Sequence, residues 1–155
     1  MAAYFNIILL NFSKITNRIK KNEGFKNRIY KDSLGNPTIG YGHLINSKDF
    51  FVANKSYSKK ILTNIFKKDF EKAVSDFKNN YDSKKLSISS QEVLIEMIFQ
   101  LGIKKTLKFK KFAEHIKKKH YYLAAFEMMN SLWYKQTPNR VNKLIYILLK
   151  SNVKR

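Results

Sequence analysis

The 155-residue chain contains no cysteine, which excludes disulfide frameworks, thiolate zinc sites, iron–sulfur clusters and cysteine nucleophiles. Acidic residues are scarce, 11 against 31 Lys plus Arg, leaving a formal charge of +20. Arginine is scarce too: Arg18, Arg28, Arg140 and Arg155 are the only ones. Bidentate reading of guanine edges therefore has little to work with, and no specific nucleic-acid partner is expected. An excess of this size attracts anionic polymers, whether nucleic acid, lipid headgroups or wall polyanions, and a lysine-rich face is equally readable as solvated surface. Long hydrophobic runs are missing. The most apolar uncharged stretch, residues 1–13, falls short of the ~20 residues a membrane span needs and lacks the basic start of a secretory signal. For residues 1–12 an extension, a packed strap and a weak membrane tether all remain open.

Only two prolines and five glycines are present, and Gly24, Gly35, Pro37, Gly40 and Gly42 crowd into one short segment. Dense punctuation marks turns and short strands, and its absence elsewhere favours helix. A chain of this length is expected to form one domain, burying roughly 70% of its unfolded surface without a staple. Ser13 is placed to cap a helix carrying Ile15 and Ile19 on one face, with Gly24 at its end and Glu23 in its last turn. Residues 28–30 and 38–41 read as the strands of a hairpin around Asp32, Ser33, Gly35 and Asn36.

Apolar residues from Ile61 to Phe77 recur at helical spacing and predict one long amphipathic helix over 58–79. Ser89-Ser90-Gln91-Glu92 reads as a capping box before a helix stopped by Gly102. Further helices are expected over 109–118, 121–134 and 138–150, the last with Thr137 as cap and Pro138 in its first position. The picture is a small β-containing segment within about 13–57, a long helix, and only further helices over about 80–155.

With so few acids the search for a catalytic pair is short. Glu92 and Glu96 share a helix face and read as exposed solubilising charge. Asp69, Glu71 and Asp76 lie among lysines on the long helix and read as surface ion pairs. Glu23 and Asp32 differ, because one closes a helix and the other opens a glycine-rich loop, so the chain can fold them toward one another. Glycoside hydrolysis needs such a pair, one carboxyl donating a proton and the other ionised. The helix dipole at Glu23 favours its protonated form, and a polar loop keeps Asp32 ionised. Spacing alone also permits an ordinary helix-end glutamate and a turn-forming aspartate.

His43, His115 and His120 are the only histidines. The last two are five apart, not the one-turn spacing of a ligand pair, so no metal is expected. His43 reads as a hydrogen-bonded structural residue with Asp69 as a candidate partner. No phosphate-binding glycine loop is present, because Gly40-Tyr41-Gly42 is followed by His and Leu. No cofactor is expected.

The run NEGFKNRIYKDSLGNPTIGYGHL from Asn22 to Leu44 resembles the amino-terminal active-site segment of the T-even phage lysozymes, the endolysin muramidases of glycoside hydrolase family 24. MIFQLG (Met97 to Gly102) and WYKQTPNR (Trp133 to Arg140) resemble the family's central helix and carboxy-terminal signature. Three motifs in order are more specific than any one.

The resemblance implies an α+β, lysozyme-like, mostly helical fold in which the long helix joins a small β-hairpin lobe to a larger helical lobe, with substrate between them. It implies a monomeric muramidase without cofactor or metal that cleaves the β-1,4 bond between N-acetylmuramic acid and N-acetylglucosamine of bacterial peptidoglycan. Such an enzyme waits in the host cytoplasm and acts on the wall after release. By the same resemblance Glu23 is the general acid, and Asp32 with Thr38 holds the attacking water of an inverting reaction. Arg140 pairs with the glutamate, His43 and Asp69 form a supporting ion pair, and Leu44, Phe99 and Gln100 touch substrate. Departures from the family pattern at Asn22, Pro37, Phe112 and Glu127 bear on saccharide preference. The competing reading is a basic module on a lysozyme fold that binds nucleic acid or wall polyanions without catalysis.

Overall fold

The computed structural model describes residues 10–152. Cα packing divides them into two compact units, Ser13–Ser75 and the chain from Asp76 onward. The alternatives left open for residues 1–12 fall almost wholly outside the described residues.

The first unit opens with α1 (Phe12–Glu23), whose Ile15 and Ile19 are buried one turn apart. Ser13 lies inside the first turn rather than before it, and its carbonyl accepts from the Thr16 hydroxyl. Gly24 ends the helix at φ +70, its N–H donating to Lys20 O, a left-handed conformation that glycine adopts without steric cost. Next come β1 (Lys26–Lys31), β2 (Pro37–Gly40) and β3 (His43–Leu44), in an antiparallel sheet of that order. The expected hairpin is therefore extended by a third, two-residue strand, made possible by the positive φ of Gly40 and Gly42, which turns the chain back along β2. Tyr30 stands opposite Thr38, and Ile39 opposite His43.

Ile39, Tyr57 and Leu62 form the core beneath the sheet, with Ile29, Ile45, Phe51 and Ile65 packed on it. Full burial of each such side chain is worth about 1.5–3 kcal/mol. Lys20 of α1 lays its ammonium 4.9 Å from the Phe66 ring centroid and 5.4 Å from that of Tyr41. This cation–π contact ties α1 to the sheet connection and to α2 (Lys59–Asn80), the long helix expected at 58–79.

In the second unit a 3-10 turn, Ser83–Lys85, is capped by Asp82, whose carboxylate accepts from Lys84 N. Then follow α3 (Ile88–Leu101), α4 (Ile103–Thr106), α5 (Lys110–Lys117), α6 (Tyr121–Met129), α7 (Leu132–Gln136) and α8 (Pro138–Asn152). Every residue of α3 from Ser89 to Ile98 is buried, as expected of a helix that is apolar on most sides and surrounded by others. Glu92 and Glu96 are among them, 6% and 4% exposed, which corrects their reading as solubilising surface charge. The cap also differs from expectation. Ser87, not Ser89, accepts from Ser90 N, because the helix starts two residues earlier than the capping-box pattern indicates.

The helix expected over 121–134 is two. Ser131 stops the first by donating to Met128 O at 2.6 Å and caps the second by accepting from Tyr134 N at 3.1 Å. Among the described residues no helix is long and apolar enough to cross a membrane.

The cap assignment makes a direct test. Ser87→Ala should lower unfolding free energy by about 1 kcal/mol, the usual worth of an N-cap, whereas Ser89→Ala should cost clearly less. Urea denaturation followed by circular dichroism measures both, and the reverse order would restore the capping-box reading.

Candidate active site

Asp32, just beyond the end of β1, folds its carboxylate into its own loop. Oδ1 accepts from Leu34 N and Asn36 N, both at 2.8 Å, and Oδ2 accepts from the Asn36 side-chain amide at 3.2 Å. The Asn36 backbone N–H is the main reason its pKa lies below the ordinary aspartate value. The Asn36 amide and the N–H groups of Leu34 and Gly35 add to it, against the opposing effect of desolvation. Asp32 is thus held ionised and oriented.

Thr38 is buried on β2, and its hydroxyl donates to Asn36 O at 3.0 Å. That donation occupies the hydroxyl's hydrogen and leaves its oxygen as an acceptor. Asn36 is therefore the shared brace of Asp32 and Thr38.

Glu23, the last residue of α1, reaches the glycine turn from the other side. A Cβ placed on Gly42 would lie 2.8 Å from Glu23 Oε2 and 3.1 Å from its Cδ, so the carboxylate rests against bare backbone that no other residue type can provide. Gly42 also has φ +82.

Tyr30 connects the two acids. Its hydroxyl pKa is raised, first by burial and then by the negative charges of Glu23 and Asp32. Both carboxylates thus act on a single phenol. Tyr30 also faces Thr38 across the strands and carries the Lys26 ammonium 4.4 Å from its ring centroid. The sequence reading missed Tyr30. The available signal was alternation, since residues 30 and 32 point to the same side of an extended chain. An open depression of about 490 Å³ runs along Phe25, Lys26, Arg28, Ile29 and Tyr30.

His43 supports this turn. Its Nδ1 lies 2.8 Å from Asp69 Oδ2 on α2, as expected, and its Nε2 lies 3.1 Å from Asp49 Oδ2, a partner that sequence reasoning did not find. Asp49 additionally accepts from the Asn46 backbone and side-chain N–H groups at 2.8 Å. The hydrogen bond to Asp69 is the main cause of a raised His43 pKa, with Asp69 and Asp49 charges adding and desolvation opposing. Leu44, next in β3, is 56% exposed.

The first unit therefore gathers Glu23, Asp32, Thr38, His43, Leu44 and Asp69. Arg140, Phe99 and Gln100 belong to the second. Phe99 is half-buried at the end of α3. Gln100 accepts from Trp133 Nε1 at 2.9 Å, and its Nε2 lies 3.4 Å from Thr137 Oγ1. The Thr137 hydroxyl donates in turn to Trp133 O. This closed set joins α3 to α7 and fixes where α8 begins. Arg140 sits half-buried in the first turn of α8, a place where the helix dipole disfavours a cation by about 0.3–1 kcal/mol. Phe112, one of the departures noted in the sequence, is 1% exposed and packs as core. The His115 and His120 rings, which share no helix face, approach to 6.1 Å because Lys119 adopts φ +61 between their helices. Among the described residues no group of three or more metal-ligating side chains occurs.

Comparisons with known proteins point in one direction. The phage lysozyme family model matches residues 20–146. The chain is 33% identical to "Probable T4-type lysozyme 1" of Dictyostelium discoideum, over 88% of this chain and 94% of that protein. It is 32% identical to "Probable T4-type lysozyme 2" of the same organism, over 87% and 93%. It is also 27% identical to "Pre-baseplate central spike protein Gp5" of Enterobacteria phage T4, where the match covers 87% of this chain and 27% of the other.

Two outcomes are expected from this geometry. Gly42→Ala should lower the thermal midpoint and depress activity, because the added methyl meets Glu23 and the left-handed backbone is strained; an unchanged midpoint and rate would contradict the close approach. For His43, a raised folded-state pKa means that the stabilisation is complete below the ordinary histidine value of 6.5 and is lost as pH climbs through the folded value. The stability gap between wild type and His43→Gln should accordingly shrink as pH rises above 6.5. A gap that widens with pH would mean the ring is held neutral.

Proposed function

Since the chain belongs to the phage lysozyme family, glycoside hydrolases whose substrate is peptidoglycan, we propose that it cleaves the β-1,4 bond between N-acetylmuramic acid and N-acetylglucosamine of the bacterial wall with inversion at the anomeric carbon. Glu23 protonates the leaving glycosidic oxygen. Asp32 accepts a proton from a water molecule as that water attacks from the opposite face of the sugar, the arrangement of an inverting pair. The observation that carries this reading is the oriented Asp32 carboxylate, held by Leu34 N and Asn36 N beside the buried Thr38 hydroxyl, in the same compact unit as the Glu23 carboxylate at the Gly42 turn.

Thr38 completes the water's seat. Because its hydrogen is engaged with Asn36 O, the Thr38 oxygen can accept one water hydrogen while Asp32 accepts the other. The water's lone pair is then left for carbon. The loop donors that keep Asp32 ionised also keep it a weak base, which suits a reaction in which charge builds on the sugar before the water is fully deprotonated. Tyr30, whose hydroxyl pKa is raised first by burial and then by the two carboxylates, contributes a hydroxyl donor to the site. For Arg140, Phe99 and Gln100 the proposed roles, pairing with Glu23 and contacting glycan, rest on the sequence resemblance. The Gln100 amide is at least partly committed to Trp133 and Thr137, so its contribution is to set the surface that the glycan meets.

Glu23→Gln should fold with a wild-type melting curve and lose at least ~100-fold in the rate of clearing purified peptidoglycan, the usual worth of a general acid. Clearing within a few-fold of wild type would eliminate its role. Proton spectra of fresh product should show the α anomer first, and initial β product would overturn the water-holding role of Asp32 and Thr38.

A further inference from the structure

Helix α6 buries an apolar face and leaves most of its opposite arc apolar as well, with the half-buried Glu127 its one charged residue. Ala124, Ala125 and Met128 are buried, in a helix that packs on α5 and α8. The opposite arc holds Tyr122, Leu123, Phe126 and Met129, which are 66%, 50%, 60% and 51% exposed, and Leu132 follows at 68%. Residues 122, 126 and 129 fall on one stripe at helical spacing, and 123 lies beside it. A helix hydrophobic all round is normally enclosed, and contiguous exposed apolar surface marks a site of interaction.

The surroundings of the stripe identify what it meets. Between residues 103 and 136 there are nine lysines and two acidic residues. Lys117, Lys118 and Lys119 form the exposed turn that leads into α6, Lys110 and Lys111 are exposed on the neighbouring α5, and Lys135 is exposed on α7 just after it. Of the two acids, Glu114 is taken up by Lys118 at 2.6 Å. None of the exposed residues of α6 is charged. An apolar stripe that includes a tyrosine, bordered by lysines, has the chemistry of a helix lying in the plane of an anionic bilayer, with its side chains among the acyl chains and the ammonium groups at the phosphates. A second copy is a poorer fit, because two such rims on molecules of charge +20 repel.

We propose that the exposed face of α6, from Tyr122 to Met129 and continued by Leu132, is a docking surface for an anionic phospholipid bilayer. It is separate from the carboxylate site, which lies in the other compact unit. Lipid docking would hold the protein at a membrane without engaging Glu23 or Asp32.

The chain's lack of cysteine permits a direct test. Flotation with vesicles of phosphatidylcholine and phosphatidylglycerol, at near-physiological salt, should recover the wild-type protein, and pure phosphatidylcholine vesicles should not. Tyr122→Ser/Phe126→Ser/Met129→Ser should lower binding to the anionic vesicles roughly tenfold or more, with peptidoglycan clearing unchanged. A variant that binds as well as wild type would reduce the interaction to net charge and overturn the proposal. Independently, a polarity-sensitive dye on Phe126→Cys should shift to the blue with anionic vesicles, while the same dye on Lys60→Cys of α2 should not. Equal responses at the two positions would refute insertion by α6. If the thiol of Phe126→Cys resists maleimide without lipid, the face is already covered, by a second copy or by the chain's own amino-terminal residues, and that result would likewise overturn the proposal.

Discussion

The approach of the Glu23 carboxylate to the bare backbone of Gly42 is the constraint from which the geometry of the first unit follows. A side chain at position 42 would stand 2.8 Å from Glu23 Oε2 and would push that carboxylate from its place, and the φ of +82 there strains any residue but glycine. The same turn carries the chain into β3, where His43 is gripped by Asp69 on α2 and by Asp49 in the following loop. One three-residue stretch thus links α1, the sheet and α2. Moving it would shift Glu23 relative to the sheet whose strands carry Tyr30 and Thr38 and whose hairpin loop holds Asp32. The ion pairs at His43 hold the backbone against which the acid rests.

Acidic residues are few, and where they are spent explains both the site and the surface. Asp32 organises its own loop, Asp49 and Asp69 hold His43, Asp82 caps the 3-10 turn, Glu23 lies at Gly42, and Glu92 and Glu96 are buried in α3. Seven of the eleven thereby have a place in local geometry, Asp82 pairing with Lys85 at 3.4 Å as well. Exposed pairs such as Lys67–Glu71 at 3.9 Å are worth little in stability. The surplus positive charge therefore stays on the surface as a long-range field that attracts polyanions in general.

Much of this was legible from residues alone. The glycine cluster located the sheet, the helical periodicity located α2 to within a residue at each end, and the resemblance supplied the acid pair on which the proposed mechanism rests. What escaped has a physical pattern. The burial of Glu92 and Glu96 was invisible because a polar residue spaced one turn from another reads as surface until the neighbours that enclose α3 are known. Ser87 lost to Ser89 in the sequence because both are serines and a glutamate three residues on favoured the wrong one. Asp49 required the third strand, which depends on the left-handed glycines rather than on hydrophobic pattern, while Tyr30 was marked only by its alternation with Asp32. The division at Ser131 rests on a side chain donating to one helix while capping the next, a double use that composition does not distinguish from an ordinary helical serine.

The two units put similar ingredients to different ends. In the first, lysines lie over aromatic rings: Lys20 on Tyr41 and Phe66, Lys26 on Tyr30, Lys59 near Phe25. There the apolar rings and the cations satisfy each other, and the carboxylates keep a polar setting. Around α6 the lysines border the aromatic and aliphatic side chains, and the apolar arc is left to solvent. Burial energy scales with apolar area removed from water, so such an arc is a standing cost to the free protein that only a partner can recover. A partner that is apolar within and anionic at its rim matches both halves of that surface, and the flat extent of a bilayer needs no complementary pocket. The proposed carboxylate chemistry depends on the placement of individual atoms, whereas this face depends only on the sum of area and charge, which suits side chains as exposed as Phe126 and Leu132.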